Sequence, residues 1–126
     1  MPPGGHRHLH VRTVDEVAVV RLADPEIVFG HDAVRALGDE LDNLVNRDGN
    51  TRVVLDLDGA RFIASELLAK VVLLDRKARL AGGRLRLCGL GPTVRDILGV
   101  SHLDRLLEID EDETTALAWF RRQTTP

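Results

Sequence analysis

The sequence predicts an α/β fold in which helices pack on one mixed β-sheet of about five strands. Segments with the apolar period of strands alternate with segments of helical period after an opening hairpin, in the order β-β-α-β-α-β-α-β-α. Neither an internal repeat nor an interdomain linker interrupts this order. The 126 residues are therefore expected to form a single domain around one hydrophobic core.

The chain is predicted to begin with a hairpin and a helix. Residues 9–14 alternate apolar and polar side chains, as a half-buried strand does, and residues 17–22 are more continuously apolar. Asp15 and Glu16 between them predict a tight turn. The apolar stripe of residues 32–45 has the spacing of an amphipathic helix.

A buried strand, a helix and a second strand are predicted for the middle of the chain. Residues 52–57 form a nearly continuous apolar run, which is typical of a strand covered on both faces. A helix is expected from Ser65 to about Leu80, where Gly82 and Gly83 end it, and residues 84–88 alternate as a strand.

The last part of the chain predicts two helices and a short strand. Pro92 opens a short helix, and residues 106–109 are expected to add the fifth strand. The final helix is predicted to begin within residues 110–113, which are acidic, and to end at Arg121 and Arg122. Acid at the start and base at the end both favour the helix dipole.

The predicted domain spans residues 9–122, between a flexible N-terminal segment of residues 1–8 and a tail of residues 123–126. The N-terminal segment is rich in proline, glycine and histidine and lacks the charged and apolar regions of a secretory signal. The single cysteine, Cys88, excludes an internal disulfide and is typical of a reducing compartment. We therefore expect a cytoplasmic protein.

Composition excludes several function classes. Lys and Arg number 17 against 20 Asp and Glu, so the basic excess of a nucleic-acid binder is missing. No apolar run approaches the roughly 18–20 residues of a membrane span, and direct membrane insertion is not expected. The sequence carries neither a P-loop nor a recognisable catalytic triad. These absences exclude several function classes but do not identify a function.

Four residues have side chains that could bind a metal ion or carry thiol chemistry. His6, His8 and His10 would share one face of an extended chain and could hold zinc or nickel. They lie near the terminus without an adjacent carboxylate or cysteine, so an incidental role is favoured and no metal is expected. Cys88 ends an alternating strand, where a buried structural thiol is the usual finding.

Two loops at the carboxyl ends of predicted strands could carry chemistry. Asp56 and Asp58 could serve as a phosphoacceptor or a magnesium pair, as in response-regulator receivers, but the other acidic pair and the lysine of that pattern are missing. Asp56 is instead expected to hydrogen-bond nearby backbone. Residues 89–93 could bind an anion on bare N–H groups, yet a tight strand-to-helix turn is the favoured interpretation.

Ser65 is the most informative position in the sequence. It precedes an apolar helix start, where its hydroxyl could serve as an N-cap. Alternatively it is a phosphorylation switch, because a phosphate there would add about −1.5 to −2 charges beside the positive end of a helix. Leu67 and Leu68 are expected to contribute to an apolar docking surface at that helix start.

Four stretches of the chain resemble the STAS domain of anti-sigma factor antagonists, in the family's order and spacing. The resemblance covers residues 10–120 and is carried by residues 52–65, 80–88, 92–98 and 102–107. It implies a regulator that binds a partner protein and needs no cofactor, rather than an enzyme. In that family the partner is a serine kinase that is itself the anti-sigma factor, and binding of the unphosphorylated antagonist releases a sigma factor.

The family's motif at the start of the second helix reads Asp-Ser-Ser/Thr-Gly, and its phosphorylated serine falls on Ser65. This sequence has Ala64 in place of the aspartate, Glu66 in place of the second hydroxyl residue and Leu67 in place of the glycine. The resemblance therefore implies phosphorylation of Ser65 and partner binding by Ala64, Ser65, Glu66, Leu67 and Leu68. Glu66 would repel an incoming phosphate, so a permanently unphosphorylated STAS scaffold is a competing hypothesis.

One further alternative belongs to another function class. A STAS module can serve a transport system, and since this sequence carries no transporter span it would have to act in trans. The sequence leaves the oligomeric state open.

Overall fold

A computed structural model describes residues 8–25 and 31–124, which fold as a four-stranded mixed sheet with helices on both faces. The strands are β1 (Leu9–Val14), β2 (Val17–Leu22), β3 (Arg52–Asp56) and β4 (Arg84–Cys88). The helices are α1 (His31–Asn46), α2 (Ser65–Leu80), α3 (Pro92–Val100) and α4 (Glu113–Thr124), with a 3₁₀ turn at Leu103–Arg105. The predicted α/β class is confirmed.

The strands lie side by side in the order β1-β2-β3-β4. β1 pairs with β2 antiparallel, while β2 with β3 and β3 with β4 are parallel. Asp15 and Glu16 connect the hairpin with φ values of 50° and 68°, which is the left-handed geometry of a two-residue hairpin turn. The tight turn predicted at these residues is confirmed.

Each face of the sheet has its own hydrophobic core. The larger core is formed with α1, α2 and α3, and its strand residues are Leu9, Ala18, Val20, Leu22, Val53, Leu55, Leu85 and Leu87. The smaller core lies under α4 and consists of Val17, Val19, Val54, Cys88, Ala116 and Phe120. Alternate residues of β2 and β3 serve the two cores, which is why both strands are apolar almost throughout.

The predicted fifth strand is reduced to a single bridge. Ile109 pairs with Leu87 of β4, and the flanking backbone bonds run from Leu87 N to Glu108 O and from Asp110 N to Leu87 O. The 3₁₀ turn ends at Arg105, so too few residues remain in extended conformation to form a strand. This segment nevertheless covers part of the outer edge of β4.

The structure also differs from the predicted domain bounds at both ends of the chain. α4 continues to Thr124, so two of the four residues assigned to a C-terminal tail are helical. Of the predicted flexible segment, residues 1–7 lie outside the described residues. His8 is held in place, since its backbone N–H donates to the Glu40 carboxylate and its carbonyl accepts from the N–H of Ala23.

Within residues 8–25 and 31–124, no helix is long and apolar enough to cross a membrane. The longest helices, α1 and α2, have 16 residues each.

Candidate functional site

The loop between β3 and α2 is fixed by hydrogen bonds at its start. Leu57 N–H donates to the Cys88 carbonyl at 3.0 Å, and Asp58 N–H donates to Asp56 Oδ1 at 2.9 Å. Ile63, further along, is 4% exposed and anchors the end of the loop in the larger core. The helix start that follows is therefore held in a defined position.

Ser65 is the first helical residue of α2 and is exposed. The N-cap is Ala64, in extended conformation with φ −70° and ψ 149°, and it offers no side-chain hydrogen bond to the helix. The interpretation of Ser65 as the N-cap is therefore wrong, because the helix begins one residue earlier than that role requires. Among the described residues, the Ser65 hydroxyl has no hydrogen-bond partner.

Leu67 and Leu68 are buried, at 2% and 8% exposure, and belong to the larger core. The expectation that they present an apolar docking surface is wrong, because their side chains point into the space between α2 and the sheet. The exposed residues of this helix start are Ser65 and Glu66, beside the half-buried Ala64. We call these three residues the α2-start surface.

The α2-start surface can accommodate an anion on Ser65. Backbone N–H groups in the first turn of a helix have no partner within the helix, and the aligned peptide dipoles give this end a partial positive charge. The N-cap alanine leaves these groups without a side-chain acceptor. Glu66 already occupies this favourable end with one negative charge, so a phosphate on Ser65 would gain from the dipole and lose through repulsion by Glu66.

The loop between β4 and α3 lies beside the β3–α2 loop. Between the two loops lies a cavity of about 490 Å³ that is open to solvent and lined by residues 58–61 and 89–93. Gly89 has φ 70°, and a Cβ atom there would lie 2.2 Å from Asp56 Oδ1, so only glycine fits. Gly91 is the N-cap of α3 and Pro92 its first residue. The strand-to-helix turn predicted for residues 89–93 is confirmed.

Asp56 is 7% exposed, and its Oδ1 accepts the hydrogen bond from Asp58 N–H, as the sequence predicted. The sequence did not predict that Asp56 Oδ2 lies 3.6 Å from Nε of Arg21, which also pairs with Glu113 in the first turn of α4. Glu113 in turn accepts from Arg12 of β1 and Arg21 of β2. We call these four residues the carboxyl–arginine cluster; it joins β1, β2 and β3 to α4.

Two opposite pKa shifts follow from this cluster. Burial and the neighbouring carboxyl group of Glu113 raise the pKa of Asp56 to about 6. Burial also opposes ionisation of Glu113, but the neighbouring carboxyl group of Asp56 and the hydrogen bonds from Arg21 and Arg12 outweigh it and lower the pKa of Glu113 to about 2. The sequence did contain a signal for this cluster. Side chains alternate between the two faces of a strand, and the alternation places Arg12, Arg21 and Asp56 on the face that α4 covers.

The remaining candidate residues are Cys88, which is the ladder partner of Asp56, and the N-terminal histidines. Cys88 is fully buried, and burial together with the nearby carboxylates raises the pKa of its thiol to about 12. The predicted buried structural thiol is therefore confirmed. His8 Nδ1 lies 2.5 Å from Glu40 Oε2, and His6 lies outside the described residues. Residues 8–25 and 31–124 contain no group of three metal-binding side chains.

Comparison with known proteins relates the chain to one family. The family model described as "Mlab, STAS domain" matches residues 9–108. BtrV of Bordetella bronchiseptica, which is named as an anti-sigma factor antagonist, is 30% identical over 109 residues; the match covers 86% of this chain and 93% of BtrV.

Solved structures agree with this relationship at the level of the fold. A crystal structure of an anti-sigma factor antagonist from Thermotoga maritima superimposes with a TM-score of 0.78 at 21% identity, covering 90% of this chain and 95% of that one. The unphosphorylated form of SpoIIAA, an anti-sigma factor antagonist, gives a TM-score of 0.72 at 21% identity and covers 90% and 96%. SpoIIAA of Bacillus has also been solved in a phosphorylated form.

Proposed function

The chain belongs to the STAS domain family, and we propose that it is a cytoplasmic anti-sigma factor antagonist that acts by binding rather than by catalysis. Its partner is an anti-sigma factor that is also a serine kinase. The partner binds the α2-start surface (Ala64, Ser65 and Glu66), and phosphorylation of Ser65 dissociates the complex. The names of BtrV and of the Thermotoga maritima protein support the proposed class of function.

The observation that carries the proposal is the position of Ser65. Its side chain is exposed at the first residue of α2, and its hydroxyl has no hydrogen-bond partner among the described residues, so a kinase can reach it without unfolding the chain. The core beneath is closed by Leu67 and Leu68. A phosphate on Ser65 would therefore change the charge of the surface and leave the packing intact.

Glu66 sets the direction of the expected effect on the partner. The α2-start surface already carries one carboxylate, and a phosphate would raise its charge to about −2.5 to −3 over two neighbouring residues. A partner surface that accepts Glu66 would have to accommodate this excess charge within the same contact. Loss of binding on phosphorylation follows from electrostatic repulsion and desolvation, without a conformational change.

The binding test uses the full chain and its cognate serine-kinase anti-sigma factor in isothermal titration calorimetry. Ser65→Glu is expected to weaken binding at least tenfold, and Ser65→Ala to retain it. Thr114→Glu is the matched control, since it places the same charge in the first turn of α4 on the opposite face of the sheet. Equal affinities of Ser65→Glu and Thr114→Glu would reject the surface. No binding by the unmodified chain would reject the partner class and favour the transport-accessory alternative.

Phosphorylation is tested separately with the same kinase and ATP, followed by mass spectrometry of the modified chain. We expect a single phosphate on Ser65 and none in the Ser65→Ala variant. A phosphate on another residue, or no phosphate while the complex still forms, would leave partner binding standing and reject the switch. That second result would support the unphosphorylated STAS scaffold.

A further inference from the structure

Arg52 and Arg84 are direct neighbours across two parallel strands. They are partner residues in the ladder between β3 and β4, two positions before the pair formed by Val54 and Arg86. Their side chains therefore lie on the same face of the sheet as Val54, which packs in the core under α4. Like charges placed opposite each other on adjacent strands destabilise a sheet, so an anion bound between these two solvent-accessible side chains would be stabilising.

The next arginine along β4 shows what such compensation looks like. Arg86 donates two hydrogen bonds to the Asp110 carboxylate, at 2.8 and 2.9 Å, and a weaker one to Glu108. Its guanidinium also lies 4.4 Å from the centre of the Trp119 ring. Its charge is thus fully matched inside the protein.

Arg84 has no such match. It donates to the carbonyl of Gly83 at 2.8 Å, and within residues 8–25 and 31–124 no carboxylate lies at ion-pair distance from it. The charge of Arg84 favours ionisation of Asp75, but that carboxylate is paired with Arg79. Arg52 lies 3.6 Å from Glu16, whose side chain is 87% exposed, and an exposed pair of this kind contributes little.

Arg52 and Arg84 line a cleft of about 270 Å³ at the amino ends of β3 and β4. One wall is the turn of Gly82 and Gly83, and the other is the last part of α4, with Trp119, Phe120 and Gln123. No acidic residue is among the described residues that line it. The volume falls just below the usual range of small-molecule sites, about 300–1,000 Å³.

We propose that this cleft binds a small organic anion, with its carboxylate or phosphate group between Arg52 and Arg84 and its planar apolar part against Trp119. Guanidinium groups recognise both kinds of anion through paired hydrogen bonds. The indole ring supplies apolar contact area, and the Gln123 amide can donate one further hydrogen bond.

The cleft is independent of the α2-start surface. Ser65 follows the carboxyl end of β3, whereas Arg52 begins that strand, so the two sites lie at opposite ends of the sheet. The backbone around the arginines is also fixed before a ligand arrives. Arg84 N–H donates to the Thr51 carbonyl at 2.9 Å and Gly83 N–H to the Ala78 carbonyl at 2.8 Å, which limits the entropy lost on binding.

Fluorescence tests the proposal directly, because Trp119 is the only tryptophan in the chain. The full chain is titrated at constant ionic strength with phenyl phosphate and with benzoate, which separate the two anion classes. Inorganic phosphate and phenol supply the anion and the ring alone. We expect a saturable change in Trp119 emission with at least one of the two combined probes, and weaker binding of either part.

Substitutions assign the binding to the two arginines. Arg84→Met and Arg52→Met are each expected to weaken binding by about tenfold, the size of one charged hydrogen bond. Arg95→Met is the matched control, since Arg95 is exposed on α3. Thermal unfolding of each variant establishes that it is folded. The proposal is overturned if neither combined probe gives a saturable signal, or if Arg84→Met and Arg95→Met bind equally well.

Discussion

Asp56 of β3 and Glu113 of α4 share one guanidinium group: Arg21 Nε lies 3.6 Å from Asp56 Oδ2 and donates a hydrogen bond to Glu113 Oε2. The pKa of Asp56 is the higher of the two carboxyl pKa values, so Asp56 is the first of the pair to gain a proton as pH falls. Arg12 and Arg21 both donate to Glu113 and keep that group ionised. Two carboxyl groups and two guanidinium groups thus connect the sheet to its smaller helical layer.

This pair predicts a stability maximum in mildly acidic solution. The pKa of Asp56 is raised from 3.8 to about 6, so the folded chain binds more protons than the unfolded chain between these values. The free energy of unfolding is therefore expected to fall as pH rises from about 4 to 6, by on the order of 2 kcal/mol. Glu113, with its pKa lowered to about 2, contributes stability that is lost as pH falls from about 4.5 to 2.

Urea unfolding across this pH range checks the assignment through Asp56→Asn. The amide keeps an acceptor for Asp58 N–H but has no proton to lose in this pH range. We expect the decline between pH 4 and 6 to disappear in this variant. Asp58→Asn, at an exposed position of the same loop, should retain it. A decline of the same size in Asp56→Asn would mean that another group titrates.

Cys88 is expected to be unreactive in the native protein. Its side chain is fully buried beneath α4, and burial with neighbouring carboxylates raises its pKa to about 12, so almost no thiolate forms at neutral pH. Iodoacetamide should leave the folded chain unmodified at pH 8 and label it completely in guanidinium chloride, as read by mass spectrometry. A Leu80→Cys variant on a Cys88→Ser background should react at once, since Leu80 is 82% exposed. Rapid labelling of native Cys88 would show that α4 detaches readily.

Leu67 separates stability from partner recognition. It is 2% exposed in the core between α2 and the sheet, so Leu67→Ala should lower the free energy of unfolding by about 2–4 kcal/mol. Leu80→Ala, at the exposed end of the same helix, should change it by less than about 0.5 kcal/mol. Denaturant titration measures both. If the two variants were equally stable, Leu67 would not be a core residue, and its place in a docking surface would have to be reconsidered.

Local sequence signals predicted the elements well because their causes are local. α2 begins at Ser65 and ends at Leu80 as expected, since apolar spacing and the glycines after it depend only on neighbours in the chain. The bounds of β1, β2 and β4 were also predicted correctly. The prediction of a fifth strand was wrong in extent, since residues 103–105 form a 3₁₀ turn and only one bridge follows. Short 3₁₀ turns have little signature in sequence.

The site was predicted less completely because burial and pairing depend on distant parts of the chain. Leu67 and Leu68 lie in a stretch that is apolar on nearly all sides, and only the packed sheet decides which side is core. Asp56 and Glu113 are 57 positions apart, and their contact depends on which face of the sheet α4 covers. Arg52 and Arg84 became neighbours only once β3 and β4 were known to be adjacent and in register.

Gly83 is expected to tolerate no side chain. A Cβ atom there would lie 1.7 Å from the carbonyl oxygen of Thr51, and since that oxygen accepts the hydrogen bond from Arg84 N–H, neither backbone can move freely. Gly83→Ala should therefore lower the free energy of unfolding by about 2–3 kcal/mol, the cost of overpacking a fixed backbone.

Gly99→Ala is the matched control, and it is expected to raise the free energy of unfolding instead of lowering it. Gly99 lies in α3 with its nearest neighbour atom at 3.8 Å, so the alanine should stabilise the helix by about 0.5 kcal/mol. Chemical denaturation of the two variants decides the matter: a neutral Gly83→Ala would mean that the turn before β4 can shift, and with it the position of Arg84 beside Arg52.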